Sequence, residues 1–150
     1  MAITSNAVSA HIAGEYGKLF DLKIPEWRIM AILGDTGALT QRDLVRATLM
    51  DKVAVNRACK VIDDRGLLHR SPNMADGRSH HLELTETGQA MYEQIWPQAY
   101  AAYERIFTAL TPREAATLRT LLDKLHQSVR QIENGASAGR KARAISSSCD

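Results

Sequence analysis

Between Lys52 and Leu84 the apolar period of the chain switches from helical to alternating, and that switch limits the folds open to it. Val55, Ala58, Cys59 and Ile62 fall at i, i+3, i+4 and i+7, a narrow apolar stripe along one helix. A turn of about 100° per residue puts Val53, Arg57, Lys60 and Asp64 on the opposite face, with Asn56 beside them. Asp51 is a suitable N-cap and Gly66 a suitable stop. Leu67-Leu68-His69-Arg70-Ser71 then reads as extended, and Pro72-Asn73-Met74-Ala75-Asp76-Gly77 as turn-rich. In His80-His81-Leu82-Glu83-Leu84 polar and apolar residues alternate. Two short strands around an Asp-Gly turn predict a hairpin directly behind a helix with a polar outer face.

The flanking segments are helical. Val8, Ile12, Tyr16, Leu19 and Phe20 give an amphipathic first helix. Pro25 opens a second, from Glu26 to about Leu33, with Gly34 just past its end. Thr40, with Asp43 three residues on, caps a short third helix whose inward side is Leu44, Ala47 and Leu49. Beyond the hairpin, a helix from Thr85 to about Ala109 carries Met91, Ile95, Ala99, Ala102 and Ile106 on one side, with a kink expected at Pro97. Thr111-Pro112-Arg113-Glu114 restarts the helix. Leu118, Leu121, Leu122, Leu125, Val129 and Ile132 then form a stripe ending near Asn134-Gly135. Three helices followed by a two-stranded hairpin is the order of a winged helix-turn-helix. The expected fold is mainly α with a small β-hairpin wing, between N- and C-terminal helices.

The net charge of +2 is too small to announce a nucleic-acid binder. Its placement says more: residues 39–84 hold eight Lys/Arg against six Asp/Glu, so the whole excess lies in this window. On the helix after Asp51, Asn56, Arg57 and Lys60 are donors of the kind that read base edges and neutralise phosphates.

These residues resemble the MarR family of bacterial transcription regulators. The likeness rests on Pro25-Glu26-Trp27-Arg28, Val55-Asn56-Arg57, Asp64-Arg65-Gly66-Leu67-Leu68, Arg70, Asp76-Gly77-Arg78, Leu82-Glu83-Leu84-Thr85 and Gly88, in order, over roughly residues 8 to 133. It implies a homodimeric repressor on a pseudo-palindromic double-stranded operator, released by a small, often aromatic ligand. Carried over residue by residue, it implies DNA contact at Thr40, Gln41, Lys52, Val53, Ala54, Asn56, Arg57, Lys60, Arg70, Arg78 and Ser79, with Asp76 orienting Arg78 at the wing tip. Residues 1–135 are then one domain, with 25–88 as the DNA-binding lobe, 1–22 and 89–134 as dimerisation helices, and 136–150 as a disordered tail. The implied effector pocket offers His11, Tyr16, Trp27 and Arg28; core packing of Tyr16 and Trp27 with Arg28 in solvent is the alternative. The chain departs from the family at Val53 and Ala54, where Ser or Thr is frequent, and at Ile24, where a Ser/Thr cap is usual.

Other chemistry finds little support. There is no Gly-rich phosphate loop, no Gly-x-Ser-x-Gly and no carboxylate pair with a matched base, so no enzyme and no cofactor are expected. His80 and His81 point to opposite faces of a strand and do not share a metal. Cys59 reads as a packed thiol, and two cysteines are too few for a disulfide scaffold. With no apolar run of the ~18–20 residues that span a bilayer, and no basic, apolar leader, a cytoplasmic protein is expected. The competing function is a winged-helix interaction or dimerisation module that does not bind DNA.

Overall fold

The computed structural model describes residues 2–73 and 79–146, with side chains at 3–73, 79–129, 131 and 132. Its elements are α1 (Ala2–Phe20), α2 (Ile24–Thr36), β1 (Leu39–Thr40), α3 (Gln41–Thr48), α4 (Lys52–Asp64), β2 (Leu68–Pro72), β3 (His80–Leu84), α5 (Glu86–Phe107) and α6 (Pro112–Ser146). They fall into two compact units, Met1–Ile106 and Phe107–Asp150.

In the first unit α2 lies between α1 and the α3–α4 pair. The interior is built from Tyr16, Trp27, Ile29, Met30, Leu33, Leu44, Val55, Ile62, Leu67, Leu82 and Ile95, with the α4 stripe buried as its spacing requires. The sheet has three antiparallel strands in the order β1-β3-β2. Arg70 stands opposite Leu82 and Pro72 opposite His80 in the hairpin, while Leu39 and Thr40 pair with Leu82 and His81 on the other edge. This third strand is missing from the sequence reading, since two residues are too short to show an alternating pattern. Residues 74–78, with Asp76 and Arg78 of the expected wing tip, lie outside the described residues.

Several local expectations need correction. α2 runs on through Gly34 to Thr36 and is capped at Gly37, whose φ of 80° is natural for glycine. Gly34 is a packing residue instead: a Cβ there would lie 2.7 Å from the Tyr92 ring. The missing Ser/Thr cap before Pro25 is replaced by Glu26, whose Oε2 accepts the Lys23 N–H at 2.7 Å. α3 turns Leu44 and Thr48 inward, while Ala47 is exposed and Leu49 is 69% exposed in a left-handed cap position. Thr48 tolerates burial because its hydroxyl donates to Leu44 O at 2.7 Å. α5 is one element with Pro97 inside it, which agrees with a kink as much as with a straight helix.

In the second unit Thr111 and Glu114 form the expected capping box. Thr111 N and Oγ1 both donate to Glu114 Oε2, at 2.8 and 2.7 Å, and these bonds hold the carboxyl below its ordinary range. α6 does not stop near Asn134-Gly135. Its backbone stays helical to Ser146, where a disordered tail was expected, because Ala, Arg and Lys after Gly135 are strong helix formers. Within this unit Leu121, Leu122, Leu125, Val129 and Ile132 are 45–69% exposed.

Candidate nucleic-acid interface

The start of α4 is fixed before its outer face comes into play. Asp51 Oδ1 accepts the Ala54 N–H at 2.8 Å, and Val55, Ala58, Cys59 and Ile62 seat the helix in the core. That leaves Lys52, Val53, Asn56, Arg57 and Lys60 in solvent and Ala54 half-buried. Val53 is 57% exposed, so an apolar side chain stands at the open end of the helix among donors.

Between this end, the start of α3 and the hairpin lies an open groove of about 810 Å³. Thr40, Gln41, Lys52, Arg70 and Ser79, five of the residues expected at DNA, line it. The sequence reading missed Arg42, Asn73, His80 and His81, which line it too. His81 enters because β1 pairs beside it, and its Nδ1 is buried without a hydrogen-bond partner among the described residues. No sequence signal marks that, since it depends on the unrecognised strand.

Several of these side chains are already engaged. Thr40 spends its hydroxyl on the α3 cap, donating to Asp43 Oδ2 at 2.5 Å and accepting the Asp43 N–H at 3.2 Å. The Asp43 carboxyl is consequently held below its usual range. Gln41 Nε2 donates to Asn56 Oδ1, so the amides of α3 and α4 act as one polar unit. Arg70 Nε donates to Asp63 Oδ2 at 2.7 Å, tying the hairpin to α4. Asn73 Nδ2 donates to Ser79 Oγ at 2.8 Å, joining the two arms of the hairpin.

The sequence profile of the MarR family matches residues 20–79, which hold the outer face of α4 and all of the groove lining except His80, His81 and Leu82. A structure of a probable transcriptional regulator from Pseudomonas aeruginosa is 30% identical with a TM-score of 0.69, covering 81% of this chain and 89% of its own. The chain belongs to the MarR family. Another similar structure is that of Bordetella bronchiseptica BpsR, whose DNA binding is regulated by 6-hydroxynicotinic acid; it is 28% identical with a TM-score of 0.70, and the match covers 83% of this chain and 96% of that one. Among curated relatives, the HTH-type transcriptional repressor IacR of Pseudomonas putida is 24% identical over 106 residues, 71% of this chain. The match spans just under two thirds of IacR, 64% of its length.

In this MarR-family chain the four residues expected at an effector do not form one open surface. Tyr16 and Trp27 are core residues, 1% and 7% exposed, with ring centroids 5.2 Å apart. Burial pushes the Tyr16 phenol up to about 12. The stack continues from Trp27 to Tyr92 at 6.0 Å and on to Trp96 at 5.7 Å. His11 and Arg28 are exposed, and Arg28 Nη2 donates to Ser9 Oγ at 3.4 Å. Burial likewise raises the Cys59 thiol to about 11, so it is protonated at neutral pH and unreactive. No helix among the described residues is long and apolar enough to cross a membrane.

Proposed function

We propose that this chain is a homodimeric repressor that binds a pseudo-palindromic DNA operator through α4 and the hairpin and releases it when a small aromatic acid binds. The observation that carries the reading is the outer face of α4: Lys52, Asn56, Arg57 and Lys60 stand in solvent beside a groove lined by Gln41, Arg42 and Arg70. A helix seated by a narrow apolar stripe, with an amide and cations at its free end, suits insertion into the major groove. In this role α4 is the recognition helix. Asn56 and Arg57 meet base edges, Lys52 and Lys60 meet phosphates, and Arg78 at the wing tip enters the minor groove with Asp76 orienting it. Ser79 and Thr40 hold the hairpin and α3 in register beside the DNA.

Two exposed apolar faces support the second copy, the stripe of α6 and, separately, Trp96 and Tyr100 on α5. The relative BpsR, regulated by 6-hydroxynicotinic acid, supports an aromatic acid as the ligand class. Arg28 supplies a cation for a carboxylate and His11 a hydrogen bond, while Tyr16 and Trp27 are closed in the core and meet the ring only if α1 and α2 part to admit it.

Selection of DNA fragments by the purified protein gives the operator, and fluorescence anisotropy then ranks the variants. Arg57→Ala is expected to weaken binding at least tenfold and relax one base position, at unchanged thermal stability. Lys60→Ala should reduce the salt slope by about one and leave sequence preference alone. A wild-type protein that selects no sequence, or an Arg57→Ala variant with wild-type affinity, refutes the assignment. For the effector, aromatic acids should quench Trp27 in a Trp96→Phe background and weaken DNA binding over the same concentrations.

A further inference from the structure

Arg65 lies where three helices meet. It follows the last residue of α4, and its guanidinium reaches across to the end of α1, donating from Nη1 to Asp21 O and from Nη2 to Phe20 O, both at 2.8 Å. Carbonyls at a helix C-terminus have no intrahelical donors, and a cation there also meets the negative end of the helix dipole. Asp21 takes a φ of 50°, in the left-handed region that non-glycine residues seldom occupy. Leu22, the next residue, is buried, and Lys23 caps α2. α1, α2 and α4 are thereby fastened at one corner by a planar fork gripping two successive carbonyls.

We infer that Arg65 is the positioning residue that sets the angle of α4 against α1, through this two-pronged clamp. Its consequence for DNA rests on the proposed function: if α1 belongs to the dimer framework, the clamp fixes how the two recognition helices are spaced. Arg65 sits at the far end of α4 from Lys52 and Val53, and its donors point back at the protein. Lysine is not equivalent at this position, because one ammonium lacks the parallel donors that hold two carbonyls in a fixed plane.

Two measurements test the clamp. Nitroxide labels at Lys18 and Lys60, in a Cys149→Ser background with Cys59 buried, report the distance between α1 and α4 without any DNA. Arg65→Met and Arg65→Lys should each broaden that distribution at least twofold. Asp21→Gly should leave it narrow, because glycine accepts the same φ and keeps the carbonyl. On operators with two base pairs inserted between half-sites, which rotate one site by about 70° at roughly 10–10.5 base pairs per turn, the wild type should lose affinity at least tenfold. Both Arg65 variants should lose threefold or less, with an unchanged salt slope. Unchanged distance distributions in folded Arg65→Lys overturn the clamp, as does an equal loss of affinity at every spacing. A wild type that binds no operator sinks the proposed function, and the distance measurement still decides the clamp.

Discussion

Gly88 has no room for a side chain, because a Cβ built there would sit 2.1 Å from the Leu67 carbonyl oxygen. The close approach is made by Thr85, whose N–H donates to Leu67 O at 3.1 Å and whose hydroxyl donates to Gly66 O at 2.8 Å. The same hydroxyl accepts the Gly88 N–H at 3.0 Å. Thr85 and Gly88 were legible in sequence only as a family pattern; the physical reason is a helix start locked onto the turn after α4. Gly88→Ala is therefore expected to cost about 3 kcal/mol or more in a urea titration, since the obstacle is backbone that cannot swing aside. Burial of Tyr16 and Cys59 was likewise half-visible, as spacing without depth. Both groups have raised pKa values in the folded chain, to about 12 and about 11. The unfolded chain loses these protons first, so their contribution to stability is intact below about pH 9 and erodes as pH rises from there towards 12. Melting temperatures should fall over that window, and Tyr16→Phe should flatten the part of the fall nearest pH 11.

Elements were read well where a cap or a stripe marked them and poorly where the signal lay in another part of the chain. α4 was legible in full, since Asp51, the four-residue stripe and Gly66 define both ends and the buried side. The end of α2 was misplaced because Gly34 looks like a stop from its neighbours alone, and only Tyr92 on α5 explains a glycine inside the helix. β1 escaped notice for the same reason, as its two residues are strand only through β3. The link between Arg70 and Asp63 also depends on two elements meeting, and it changes how Arg70 acts. An exposed pair of this kind adds roughly 0–1 kcal/mol to stability, so its use is to hold the hairpin against α4. Arg70→Ala and Asp63→Ala should weaken operator binding alike, and the double variant should bind no worse than either single one. Additive losses in that cycle, measured by anisotropy, would show that Arg70 works independently of Asp63.

At the scale of the molecule, the sequence shows an apolar stripe on the last helix without showing what covers it. In its own unit that stripe remains in water from Leu118 to Ile132, with Leu118 37% and Leu125 52% exposed. A second copy is the occupant proposed above. Leu121→Glu combined with Leu125→Glu should give a monomer by sedimentation at micromolar concentration, with operator affinity reduced a hundredfold or more. The site itself was legible as a list of outward donors on α4, because helical period fixes direction. The groove beside them was not, because Arg42, His80 and His81 join it only through the pairing of β1 with β3.

Repression by this chain as proposed requires α4 and the hairpin to meet DNA as a charged, two-fold surface. The direct test is the salt dependence of wild-type binding to its selected operator, read by anisotropy beside a single half-site. If each dimer neutralises roughly 6–10 phosphates, affinity should fall about a thousandfold or more between 50 and 200 mM salt. The half-site alone should bind far more weakly at every concentration. Binding that barely responds to salt, or equal affinity for the half-site and the full operator, would contradict it.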